Sequence, residues 1–236
     1  MISVLSVNHN GLDWIKLLVA SVRKFSAEKH EILILDNASE DGSVKWLTYN
    51  QDVRAILSDK NMCHGPGLDY LLPFAQSEYA LILDSDAHIL RSGWEVDMLA
   101  LYHSAENVRL VAAAGGAIKP IHPCVMFLKP SFFLVEKLSF VARDGYDVGR
   151  KNYFDLRERG YATALIPPGY EEGRTKYYPK TWGDTYYVDG KPTYFHHWYA
   201  SRMWQQKQVD NLTRKEFEEC KARLFSNLKV KEILGE

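Results

Sequence analysis

Cysteine is scarce: Cys63, Cys124 and Cys220 are the whole complement of 236 residues. Odd in number and far apart, they make no disulfide framework and no zinc pattern, and they are expected of a protein kept in a reducing cytoplasm. Charge of one sign is also missing, the net value being −1. Without a basic excess, no broad grip on nucleic acid is expected. No apolar run reaches the roughly 18 residues that suggest a membrane-crossing helix. The opening Met1–Trp14 has neither the basic start nor the apolar stretch of a secretory signal. Internal repeats and low-complexity linkers are absent too. What is present is 46% hydrophobic and 25% charged sequence, an ordinary globular composition that excludes global disorder and suits one large domain or two small ones.

Short apolar runs alternate with amphipathic stretches over the first 90 residues or so. Ile2 to Val7, Ile32 to Leu35, Val53 to Leu57 and Tyr79 to Leu83 are β-favouring. Between them, Leu12, Ile15, Leu18, Val19, Val22 and Phe25 recur at helical spacing, and residues 40–50 and 67–76 read as further helices. Continuous rather than alternating apolar strands indicate burial on both faces. The expected fold is therefore α/β, a mostly parallel central sheet flanked by helices. Beyond residue 105, Val108–Ala114 and Cys124–Leu128 read as strands, and a helix ends at Gly160. Residues 167–197 are rich in Pro, Gly, Tyr and Trp and read as a long irregular segment. Thr213 to Glu216 has capping-box spacing and opens a terminal helix, with Phe217, Leu224 and Leu228 on its apolar side.

Right-handed crossovers put the C-terminal ends of parallel strands on one rim, where such sheets bind ligands. Polar residues gather there: Asn8-His9-Asn10, Asp36-Asn37-Ala38-Ser39 and Asp84-Ser85-Asp86. Each cluster also suits turns and N-caps. The last is the most informative, because two carboxylates leaving a buried strand can share a point. Hard divalent cations, Mn2+ or Mg2+, favour such oxygen ligands.

Four ordered segments carry a resemblance. They are Ser6-Val7-Asn8-His9-Asn10-Gly11, then Ile34 to Ser43, then Asn61-Met62-Cys63-His64-Gly65-Pro66-Gly67, then Leu81-Ile82-Leu83-Asp84-Ser85-Asp86. Together they resemble family 2 glycosyltransferases of the GT-A fold, although Cys63 stands where a glycine is common. The likeness is dense over residues 2–90 and thin afterwards. It implies one Rossmann-like GT-A unit over 1–236, with a nucleotide-sugar half (1–90), an acceptor-side half (91–210) and a C-terminal helix (211–236). It also implies a metal-dependent, inverting transfer from a nucleotide-diphosphate sugar, usually of UDP, to a glycan or other hydroxyl acceptor. By that resemblance Val7, Asn8, Asn10, Asp36, Asn37, Asn61, Gly65, Asp84 and Ser85 contact the donor, Asp36 holding the base, and Asp84 and Asp86 hold the metal.

An inverting transferase needs a base near the acceptor hydroxyl. Asp147 is the first choice and Asp144 the second, though either also suits a helix start. Tyr194-Phe195-His196-His197-Trp198 is a second unusual cluster. Neutral imidazole ligates Mn2+, and neighbours on a strand point to opposite faces, so one of His196 and His197 is expected at the metal. Arg202 would bring a cation nearby. Aromatics from Tyr177 to Trp182, with Tyr186 and Tyr187, either close over the donor or cover the sheet edge. Two other functions fit less well. A sugar-phosphate nucleotidyltransferase needs a basic residue after the first strand, where Asn8-His9-Asn10-Gly11 has none. A non-catalytic nucleotide-sugar or glycan-binding protein of this fold would account for the irregular region around Asp144 and Asp147.

Overall fold

The computed structural model describes residues 1–115, 120–169, 177–178, 181–197, 208–209 and 212–236. In chain order the elements are β1 (Ser3–Asn8), α1 (Leu12–Phe25), β2 (Glu31–Asn37), α2 (Ser43–Tyr49), β3 (Val53–Ser58), α3 (His64–Leu71), β4 (Ala80–Leu83), β5 (Ala87–Ile89), α4 (Trp94–Tyr102), β6 (Val108–Ala114) and β7 (Ile121–Leu128). There follow α5 (Pro130–Val135), α6 (Lys151–Glu158), β8 (Ala162–Ile166), β9 (Gly183–Val188), β10 (Lys191–His197), β11 (Gln208–Val209), β12 (Leu212–Thr213), α7 (Arg214–Phe225) and α8 (Leu228–Leu234).

The central sheet has the order β3-β2-β1-β4-β7-β6-β8. Its first four strands are parallel. β7 runs antiparallel to both neighbours, and β6 and β8 are parallel. The continuous apolar runs have their reason in two cores. Val4, Ile32, Ile34, Leu81 and Leu83 pack under α1, α2 and α4, whereas Leu5, Leu33, Leu35 and Ile82 pack under α3, α5 and α6. Alternate residues of one strand thus serve opposite layers, each buried Leu or Ile contributing roughly 1.5–3 kcal/mol. Strand β3, at the edge, is only partly covered.

The expected irregular segment needs correction. Within residues 167–197, β9 and β10 form a hairpin, and β5 joins it to make a second sheet of order β5-β10-β9. Its residues Tyr186, Val188 and Tyr194 belong to the same core as α1 and α4. The terminal helix is two helices, α7 and α8. The expected capping box is present, Thr213 Oγ1 accepting from the Glu216 N–H and Glu216 from the Thr213 N–H. Phe217, Cys220 and Leu224 of α7 are buried with Trp14 and Phe195 nearby, so this is a packed helix with a solvated face.

Candidate functional site

The rim is built by side chains that tie its loops together. Asp36 is fully buried at the end of β2, and its carboxylate accepts from Asn8 Nδ2 at 2.8 Å, Ser39 N–H at 2.9 Å and Ser39 Oγ at 2.8 Å. Asn10, with φ 52°, accepts the Glu40 N–H at 2.7 Å and donates its own N–H to Ser39 Oγ at 2.8 Å. Asp41 takes the Leu12 N–H at 2.8 Å and the Ser43 N–H at 3.1 Å, so one carboxylate caps the starts of α1 and α2. Asn37 bridges to the third motif, donating to the Cys63 carbonyl at 3.2 Å. Asn61 Oδ1 accepts the Cys63 N–H at 2.8 Å. Val7 is buried under α3. Gly65 is a packing position: a Cβ there would lie 2.6 Å from the Phe140 carbonyl. The expected donor-contact residues thus share one rim, and many of their polar atoms are spent on shaping it.

The acidic centre follows β4. The Asp84 N–H donates to the Cys124 carbonyl at 3.1 Å, and the Ala87 N–H to the Asp84 carbonyl at 2.9 Å, so the chain turns tightly at Ser85. That turn sends both carboxylates toward one imidazole. His196 Nε2 lies 3.4 Å from Asp86 Oδ1 and 3.7 Å from Asp84 Oδ2. One ligand atom from each of the three lies within 4.8 Å of the others. Burial pulls the His196 pKa down, but the Asp86 charge and hydrogen bond, helped by Asp84 and Asp184, outweigh it and leave the pKa raised. Two buried polar atoms here, Asp84 Oδ1 and His196 Nδ1, have no hydrogen-bond partner among the described residues. Two oxygens and one nitrogen, with unsatisfied buried atoms beside them, fit a manganese or magnesium ion.

His197 is not part of this group. It points to the other face of β10, as strand alternation requires, and its buried ring lies tilted 4.6 Å from Trp14 and edge-on 5.4 Å from Phe217. Asp144 and Asp147 are exposed. Asp144 (φ 55°) and Gly145 (φ 76°) form the turn between Arg143 and Tyr146, and Asp147 Oδ1 accepts the Val148 N–H at 2.8 Å. Trp198 and Arg202 lie outside the described residues. Of the aromatics, Tyr178 and Tyr186 are buried, which assigns them to covering the sheet; 179–180 lie outside the described residues.

Sequence reasoning missed three neighbours of the acidic centre. His64 Nε2 is 3.4 Å from Asp84 Oδ1. The His122 ring is 4.9 Å from that of His196. Asp184 is the register partner of His196 across the hairpin. His64 stood inside the third motif, and His122 and Cys124 share one face of a strand, so both left a legible trace. A cavity of about 190 Å³ between the β1–α1 loop and α7 touches Asn10, Trp14 and Lys221 but none of the carboxylate–histidine group.

The mixed α/β architecture, a seven-stranded and mostly parallel central sheet flanked by helices, is that of the GT-A fold. Residues 3–112 match the family described as glycosyl transferase family 2. Over that segment, a little under half of its length, the chain is similar to family 2 glycosyltransferases. Comparison with curated proteins finds no match. Among solved structures, the mannosyltransferase PcManGT of Pyrobaculum calidifontis, in complex with GDP-Man and Mn2+, is similar at TM-score 0.58 and 14% identity, over 99% of this chain and 72% of that one. TarS of S. aureus (residues 1–349) with UDP-GlcNAc is similar at TM-score 0.56 and 13% identity, over 99% and 70%. Glucosyl-3-phosphoglycerate synthase of Mycobacterium tuberculosis, with Mn2+, UDP and phosphoglyceric acid, is similar at TM-score 0.55 and 16% identity, over 71% and 68%. Likeness at these identities is one of fold. Among the described residues no helix is long and apolar enough to cross a membrane.

Proposed function

We propose that this chain is a glycosyltransferase that moves one sugar from a UDP-sugar to an acceptor hydroxyl, with inversion, and that the transfer depends on Mn2+ or Mg2+. The observation that carries the reading is the meeting of Asp84, Asp86 and His196 at the end of β4. Those three side chains hold the ion, which when bound offsets the charge gathering on the departing diphosphate. Residues 1–90 take the donor. There Asp36 sets the base pocket by fixing Asn8 and Ser39, and Val7, Asn10, Asn37 and Asn61 line or brace it. Gly65 closes the rim from behind, and Ser85 stands between the two acids. The acceptor side, 91–210, supplies the base: Asp147, an exposed carboxylate whose Oδ1 accepts the Val148 N–H, with Asp144 the next choice. A glycan hydroxyl is the acceptor chemistry that the family favours.

Binding to the native state raises the melting temperature by linkage, about 2.7 kcal/mol of stabilisation at a hundred times the dissociation constant. A thermal-shift screen of UDP, GDP and their sugars, with Mn2+ and with EDTA, therefore tests the reading. UDP with Mn2+ should stabilise the wild type, and Asp86→Ala should abolish both that shift and donor hydrolysis. A preference for GDP would overturn the nucleotide assignment. Undiminished turnover in EDTA, or in Asp86→Ala, would overturn the metal role. For the base, Asp147→Asn should lower kcat while the donor-induced shift persists.

A further inference from the structure

We propose that His122, Cys124 and His196 form a binding site for a thiophilic divalent cation, Zn2+, which takes His196 away from Asp84 and Asp86. His122 and Cys124 are two residues apart on β7 and so share a face. The β5-β10-β9 sheet lies over that face and brings His196 to them. One ligand atom from each residue lies within 4.8 Å of the other two, and the two imidazole centroids are 4.9 Å apart. The Cys124 N–H donates to His122 Nδ1 at 3.2 Å, a hydrogen bond that the cation replaces, because a neutral imidazole has one lone-pair nitrogen to offer. Cys124 and His196 are buried, and His196 Nδ1 has no hydrogen-bond partner among the described residues. Zinc–sulfur and zinc–nitrogen bonds of about 2.3 and 2.0–2.1 Å require only a modest closing of these side chains.

Donor chemistry separates the two ligand sets. One sulfur and two imidazole nitrogens favour zinc strongly over magnesium or manganese, whereas two carboxylates and one imidazole also accommodate the harder ions. As the zinc–sulfur bond forms, the Cys124 thiol gives its proton to solvent, because a coordinating thiol is deprotonated. Three protein ligands leave the fourth tetrahedral position for a water or other small ligand. A neutral imidazole has one lone-pair nitrogen to give, so His196 serves one ion at a time. Zinc at this site therefore weakens manganese binding at Asp84 and Asp86. The zinc site does not depend on the sugar-transfer reading.

The test uses the full chain, freed of metal by dialysis and titrated with Zn2+ or Co2+. About one zinc per chain should remain after desalting, and cobalt should give a thiolate-to-metal charge-transfer band in the near ultraviolet. Cys124→Ser and His122→Ala should each weaken zinc binding by about 100-fold or more, beyond what outer-shell changes cost. Cys63→Ser and Asp86→Asn should keep the band. Zinc added first should displace Mn2+ from the wild type, read as free Mn2+ by electron paramagnetic resonance. Absence of the cobalt band in the wild type overturns the proposal whatever the variants do. Loss of zinc in Asp86→Asn but not in Cys124→Ser assigns the metal to the carboxylates, and loss of the band in Cys63→Ser assigns it to the exposed thiol; either overturns it as well.

Discussion

Cys63 sits at φ 68° and ψ 169°, immediately before α3. Only glycine adopts that combination without strain, and another residue there costs about 1–3 kcal/mol. The resemblance placed a glycine at this position, and the backbone gives the reason: the chain must bend sharply so that Asn61 and Asn37 can hold it on either side. Cys63 is exposed, so its side chain contributes little packing in return. Cys63→Gly should therefore raise stability by about 1 kcal/mol, after allowing for the extra freedom glycine gives the unfolded chain. Differential scanning calorimetry would register this as a higher Tm. An unchanged or lower Tm would show that the strain is relieved elsewhere.

At the scale of elements, the β9–β10 hairpin decides where His196 points. Its turn is Asp189-Gly190, with φ 49° and 70°, and an Asp-Gly pair with two positive φ values is the strongest short-range hairpin signal. The signal lay in the sequence between Thr185–Val188 and Lys191–Phe195, hidden by a composition of tyrosines and prolines that reads as loop. Where β9 begins, Gly183 lies against its partner: a Cβ there would be 2.4 Å from the His196 carbonyl and 2.5 Å from the Phe195 ring. Gly183→Ala must push the two strands apart. Overpacking of this kind costs about 1–3 kcal/mol. Urea unfolding should show that loss, and Mn2+ affinity should fall because His196 is displaced. Normal Mn2+ affinity in a destabilised Gly183→Ala protein would separate the hairpin from the metal site.

For the whole molecule, the stability contribution of His88 is set by pH. It lies on β5, an edge strand of the second sheet, with its Nε2 3.0 Å from the Tyr178 hydroxyl, and burial lowers its pKa to about 3, with a smaller push from His197. In the unfolded chain the same group titrates near 6.5. The unfolded state therefore binds the extra proton between these values. The contribution is complete above about pH 6.5 and drains away as the pH falls toward about 3. Urea midpoints should fall more steeply from pH 7 to about pH 4 in the wild type than in His88→Gln. Parallel profiles would mean that His88 meets a proton without cost.

The sequence alone determined the β-α-β half and its rim. Strands buried on both faces must be apolar throughout, and Asp36, Asp84 and Asp86 follow those strands directly, so their places are legible from local order. The second half was less open. Gly160 and the Thr213 capping box stop and start helices by local rules, whereas β9 and β10 owe their stability to Tyr186 and Tyr194 entering a core built by α1 and α4. Only the tertiary structure chose between His196 and His197. Strand alternation separates the pair, but which face meets Asp84 depends on how the second sheet lies on the first. The same docking brought in His64, His122, Cys124 and Asp184, whose spacing along the chain bears no relation to their distances in space.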